Sequence, residues 1–173
     1  MAATYTLISS NVLSSSAASV TFSAIPSTYT DLAIRVSLRD DSAGQTVQLG
    51  IQFNGSSSSI YSNTILRGSG SAVISERNSS TSSTRVFNMN GDATTSNTFS
   101  SGEIYIPNYT GTTQKPLSGF GATENNLTQA FIFAGAGLAN LTSAITSITL
   151  FDNGGTSNFM TGSSFYLYGI KNS

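Results

Sequence analysis

Alternation with a period of two, recurring between turn-forming stretches, constrains this chain more than anything else in it. Along residues 32–38, Leu32, Ile34, Val36 and Leu38 fall on one side and Arg35 and Ser37 on the other. Val47, Leu49, Ile51 and Phe53 repeat the pattern against Gln48 and Gln52, and Val20, Phe22 and Ala24 alternate with Thr21 and Ser23. Side chains of a β-strand point alternately to opposite faces, so each run reads as a strand with one buried side. Shorter runs lie at residues 5–8, 60–66, 72–75, 85–89, 102–106, 117–122, 130–134 and 145–151. Asn54-Gly55 predicts a hairpin turn after the Phe53 strand. Only residues 138–146 offer a turn or two of helix.

The chain closes on the most demanding run, residues 163–171. Phe165 and Leu167, with Gly169, share one face, and Tyr166, Tyr168 and Ile170 share the other. Bulk on both faces asks for cover on both, from a second sheet or from another subunit. Together these runs make about ten to twelve short strands at the spacing of sandwiches and barrels. The expected architecture is all-β, an antiparallel two-sheet sandwich of jelly-roll type. Loops rich in Ser, Gly, Asn and Thr at residues 55–59, 68–71, 78–84 and 91–101 separate no two sequence styles. Residues 1–173 therefore read as one domain, with 1–10 as an N-terminal strand or arm.

Composition narrows the partners. Charged residues make up 9% of the chain, against about 25% in an average soluble domain. Seven Lys and Arg, spread from Arg35 to Lys171, do not make the dense basic patch that nucleic acid requires. A net charge of −1 leaves little repulsion between copies, which favours self-association. No run reaches the roughly 18 apolar residues of a membrane span. The first ten residues lack the basic and apolar regions of a signal peptide, so the expectation is synthesis in the cytoplasm without export.

Chemistry is hard to place. With no His and no Cys, the common general base, zinc ligands and nucleophile pairs are missing, and no catalytic residue, metal site or cofactor is expected. Eight carboxylates remain, and no pair is singled out as a glycosidase would need. Asp40, Asp41, Asp92 and Asp152 read as turn residues, and Glu103 as an exposed strand position. Two oxygen-rich turns, at residues 40–44 and 152–155, could in principle hold Ca²⁺, although neither has the spacing of a known calcium loop. Residues 111–115 lack the second glycine and the Ser/Thr of a phosphate-binding loop. Tyr29, Tyr61 and Tyr109, each in a hydroxyl-rich segment, are candidates to stack on a sugar or, more simply, to seal strand ends with the hydroxyl in water. Assembly residues are expected in the N-terminal strand (Tyr5, Leu7, Ile8) and on the second face of the closing strand (Tyr166, Tyr168, Ile170).

Three segments carry a resemblance: residues 20–32 (VTFSAIPSTYTDL), 102–109 (GEIYIPNY) and 164–170 (SFYLYGI). They resemble small β-rich virion proteins of tailed bacteriophages, notably those of aquatic bacteria. The resemblance carries no catalytic motif. It implies a virion component, in the leading reading a decoration or cement protein on the outer surface of the head. Its partners would be further copies, as a homotrimer, and the major capsid protein. The alternative is a receptor- or glycan-binding tip of a tail fibre. Residues 2–10 are the expected capsid contact.

Overall fold

The computed structural model describes residues 4–171. Twelve strands form, with no helix among the described residues: β1 (Thr4–Val12), β2 (Ser19–Phe22), β3 (Asp31–Leu38), β4 (Thr46–Phe53), β5 (Tyr61–Gly68), β6 (Val73–Thr81), β7 (Asn88–Asn90), β8 (Ser100–Ile106), β9 (Lys115–Ala122), β10 (Ile132–Ala139), β11 (Ile148–Asp152) and β12 (Ser164–Lys171). They make an eight-stranded sheet, β1-β12-β3-β8-β9-β10-β5-β6, and a four-stranded sheet, β2-β11-β4-β7. The neighbouring strands are antiparallel throughout. The all-β antiparallel sandwich is therefore as the alternation predicts; an eight-plus-four division is not that of a simple eight-stranded jelly roll.

The period-two residues build the core. Leu32, Ile34 and Leu38 of β3, Ile104 and Ile106 of β8, and Phe165 and Leu167 of β12 are fully buried. Across the interior they meet Val20 and Phe22 of β2, Leu49, Ile51 and Phe53 of β4, and Ile148 and Leu150 of β11. Each such side chain contributes about 1.5–3 kcal/mol by leaving water.

One stretch of the core is irregular. Residues 83–91 are buried without interruption, yet only Asn88–Asn90 of them is strand. This strap crosses the inner face of β8, β9 and β10 over a bed of glycines. A Cβ on Gly102 or Gly121 would fall 2.3 Å or 2.6 Å from the Phe87 ring, and one on Gly119 2.2 Å from Val86 Cγ2. One on Gly135 would fall 2.2 Å from the Val86 carbonyl oxygen. The strap's polar groups find partners: Thr84 exchanges backbone hydrogen bonds with Ile51, and Arg85 pairs with Glu76 at 2.6 Å.

Several expectations need correction. The run at 85–89 shrinks to the three residues of β7 because Val86 and Phe87 belong to the strap. Asn54 and Gly55 do adopt the positive φ values of a two-residue turn, 53° and 67°, but β4 and β5 enter different sheets, so no hairpin forms. Tyr61 instead bonds the turn, its hydroxyl meeting Phe53 N at 2.9 Å and Ser56 O at 3.0 Å. Residues 138–146 make no helix: Leu138 lies in β10, and buried Ile145 belongs to the core cluster, its N–H donating to the Tyr109 carbonyl. The corner after β2 behaves as a lock. The Tyr29 ring lies on Gly169, where a Cβ would come within 2.3 Å of it.

Candidate docking face

Strand registers sort the exposed apolar residues. The eight-stranded sheet turns Tyr166, Tyr168, Arg35, Glu103, Tyr105, Ser118 and Phe120 away from the core, opposite the buried Ile34, Ile104 and Leu167. Of the nine large hydrophobic residues exposed among the described residues, seven lie on this outer face: Tyr5, Leu7, Val12, Leu66, Val73, Phe120 and Ile132. They form two areas. One surrounds β1 and β12, where Tyr5 meets Tyr168 edge-on at 6.2 Å between centroids and the Arg35 guanidinium lies over both rings. The other joins Phe120, Ile132 and Leu66 with Ala122 and Ala134 across β9, β10 and β5. Between them stands an exposed Arg35–Glu103 ion pair, 2.8 Å long, which holds the Arg35 pKa above its usual value.

Five of the six residues expected from sequence share this face. Tyr5 and Leu7 are about half exposed, Tyr166 and Tyr168 are half-buried, and Ile170 is buried at the end of β12. Ile8 does not belong to it: the register shifts between Leu7 and Ser9, and Ile8 packs against the core instead. Ala2 and Ala3, in the expected capsid-contact segment, lie outside the described residues. The second area was not anticipated, though the sequence carries a signal for it. In β9 and β10 glycine occupies the inward positions 119, 121, 135 and 137, between the buried Leu117 and Phe133, while Phe120 and Ile132 put bulk on the outward side.

The same sheet presents a long edge with no charge on it. β1 has nine residues, one neighbour, no charge and no proline. The opposite edge, β6, carries Glu76 and Arg77, and the edges of the small sheet are four and three residues long. Charge and shortness are how native edges avoid joining other chains, and β1 has neither protection.

The sugar-stacking candidates are corrected by burial. Tyr61 is 1% exposed and Tyr109 is fully buried, with its hydroxyl donating to the Pro26 carbonyl, so neither ring reaches solvent and neither hydroxyl stands in water. Lys115 is likewise buried, its ammonium donating to the Gly111 and Thr113 carbonyls, and desolvation lowers its pKa.

The carboxylates divide by partner. Asp31 accepts from Tyr105 Oη at 2.7 Å and Asn108 N at 2.8 Å, and the first bond pushes the Tyr105 pKa up to about 12. Glu76 pairs with Arg67 and Arg85, and Asp92 with the buried Arg39, which also gathers the loop carbonyls of Thr95 and Thr98. Asp40 has no cationic partner. Burial, opposed by the Ser42 N–H and reinforced by the charges of Asp152 and Asp41, pushes its pKa up to about 6. No group of three or more His, Cys, Asp or Glu is gathered as a metal cage among the described residues, and no helix is long and apolar enough to cross a membrane.

No family model, curated protein or solved structure matches the chain.

Proposed function

We propose that the chain is a structural protein of a bacteriophage virion, a decoration or cement protein that binds the outer surface of the head and stabilises it. The observation that carries this reading is the concentration of exposed apolar side chains on the outer face of one sheet. A large apolar area rimmed by polar residues marks a place where another macromolecule sits. Two separate areas suit two kinds of partner, further copies of the chain in a homotrimer and the major capsid protein. Bridging neighbouring capsomers through such contacts would resist expansion of the shell under the pressure of packaged DNA.

The crossing pattern supports a finer reading of the fold. From β2 to β8 the chain visits the small, large, small, large, large, small and large sheets in turn, and β11 returns to the small one. We read this alternation as that of a jelly roll whose next-to-last strand is expanded to the meander β8-β9-β10, with β1 and β12 added at one edge. The fold alone does not choose between capsid and tail. A glycan-binding fibre tip has lost two of its aromatic candidates, Tyr61 and Tyr109, to the core.

Cosedimentation of purified protein with undecorated heads tests the reading. Saturable binding at many copies per head, with a higher temperature of head disruption, is the expected result. Absence of binding to heads, together with a saturable response to a particular glycan, would replace it with the fibre-tip reading.

A further inference from the structure

The first oxygen-rich turn that the sequence offered is bonded to the segment that follows the second, although Asp40 and Asp152 lie 112 residues apart by their numbers, and the charge of Asp152 acts on Asp40. Asp41 N donates to Asn158 O at 3.0 Å, and Asn158 returns bonds to both carboxylate oxygens of Asp41 at 2.8 and 3.0 Å. Asp40 bridges to Phe159 on the same side. Asp152, whose register partner is the buried Leu49, turns its carboxylate inward at the end of β11. Asp40 is 0% exposed and Asp152 4% exposed.

Their hydrogen bonds leave a specific deficit. Asp152 accepts from Gly154 N at 2.8 Å and from Thr156 N at 3.4 Å. Asp40 Oδ1 accepts from Ser42 N at 2.8 Å, but Asp40 Oδ2 is enclosed with no hydrogen-bond partner among the described residues. The other enclosed acceptor lacking a partner among the described residues, Gln45 Oε1, belongs to the same loop. None of the ion pairs among the described residues includes Asp40, Asp41 or Asp152. The nearest arginine in sequence, Arg39, is committed to Asp92 and the carbonyls of its loop. A buried carboxylate with an unmet oxygen and no cationic side chain is a strong demand for positive charge, since burying an unpaired ion is costly.

We propose that Asp40 and Asp152 hold a hard divalent cation, Ca²⁺ by type, between the turns at residues 40–44 and 152–155. Calcium suits the donors, which are all oxygen, and its flexible coordination of six to eight ligands can be completed by neutral oxygens and water. Mg²⁺ is less suited because it demands near-octahedral geometry and gives up water reluctantly. With two carboxylates rather than four or more, the affinity belongs with the weak calcium modules, Kd about 10⁻⁴–10⁻³ M. The ion would tie β11 and the end of β3 together, and this inference does not depend on what the outer face binds.

Thermal unfolding of the full chain in chelator-treated buffer tests it, with CaCl2, MgCl2 or NaCl added at equal ionic strength. At about 10 mM CaCl2, Tm is expected to rise by about 4–8 °C beyond the NaCl control. Most of that rise should disappear in Asp40→Asn and in Asp152→Asn, while Glu103→Gln, on the exposed outer face of the eight-stranded sheet, keeps it. A calcium-specific rise that survives both aspartate substitutions would overturn the assignment. If either variant does not fold, calorimetric titration of the unmodified chain with CaCl2 decides alone: one site per chain supports the proposal, and no heat beyond dilution overturns it.

Discussion

The two sheets of this sandwich share one core but present opposite outer faces. On the four-stranded sheet that face is hydroxyl and amide: Thr21 bonds Thr149 at 3.0 Å, and Gln52 donates to Ser82 O. The large ring there, Phe151, folds over Gly50, where a Cβ would lie 2.8 Å from it. On the eight-stranded sheet Tyr5, Leu7, Phe120, Ile132 and Leu66 stay exposed, and the glycine facing Ile132, Gly68, would put a Cβ no closer than 3.4 Å to it. The same chain therefore folds an aromatic ring onto a glycine on one face and leaves two, Tyr5 and Phe120, exposed on the other. Solubility alone would treat both faces alike, so under the proposed function the large sheet is the side that would meet a partner.

The largest expected effect comes from forcing bulk to the wrong side. In Gly135→Val the new side chain would meet the Val86 backbone, which cannot swing aside as a side chain could. We expect a loss of about 4 kcal/mol or more, read by denaturant unfolding, or no folded protein at all. A mild loss would mean that the glycine bed does not dictate which face carries bulk.

Next comes the pair Phe120→Ser with Ile132→Ser. Both side chains are already more than half exposed, at 56% and 53%, so stability should change by about 1 kcal/mol or less. Affinity for undecorated heads should fall at least about 100-fold if these side chains anchor the contact. The matching pair on the small sheet, Thr21→Ala with Thr149→Ala, should leave head binding unchanged.

Asp40→Asn separates core from surface. When folded, Asp40 keeps its proton to about pH 6, whereas an unfolded Asp releases it near pH 4. Between those values the folded chain binds more protons, so this group makes stability decline as pH rises from about 4 to about 6. In calcium-free buffer above pH 6 the Asn variant should be more stable by about 1–3 kcal/mol, with head binding unaffected. Unchanged stability at pH 8 would remove the buried charge from the account.

The smallest effect is expected from Arg35→Ala. Its ion pair with Glu103 is solvent-exposed and contributes well under 1 kcal/mol. Head binding should weaken only slightly and should itself be nearly insensitive to moderate salt, since the face is mostly uncharged. Release of the protein by 0.5 M NaCl, as an order-of-magnitude challenge to screened contacts, would argue for an electrostatic interface elsewhere.

Local pattern made the strands legible, because each alternating residue such as Ile34 or Leu49 is buried by its own sheet's geometry. What escaped the sequence was long-range. Leu138, Leu141 and Ile145 mimic helical spacing although Leu138 sits in a strand and buried Ile145 in the loop after it. Tyr61 and Tyr109 stand among hydroxyl residues, yet their rings fill the core because Phe53 N and Pro26 O offer partners there. Asp40 and Asp152 look like ordinary turn residues, and only the fold shows both to be buried. On the candidate docking face, Tyr5, Tyr166 and Tyr168 are legible as bulk in excess of one core. Phe120 and Ile132 were hidden because the glycines beside them had not been read as a face already filled by another segment.

Cryo-electron microscopy of undecorated heads mixed with the purified protein tests the central claim most directly. The account predicts ordered density over the capsid lattice, with Phe120 and Ile132 or Tyr5 and Tyr168 of the eight-stranded sheet against the shell. Density that sets the Thr21–Thr149 face of the small sheet on the shell, or a shell left bare, would contradict it.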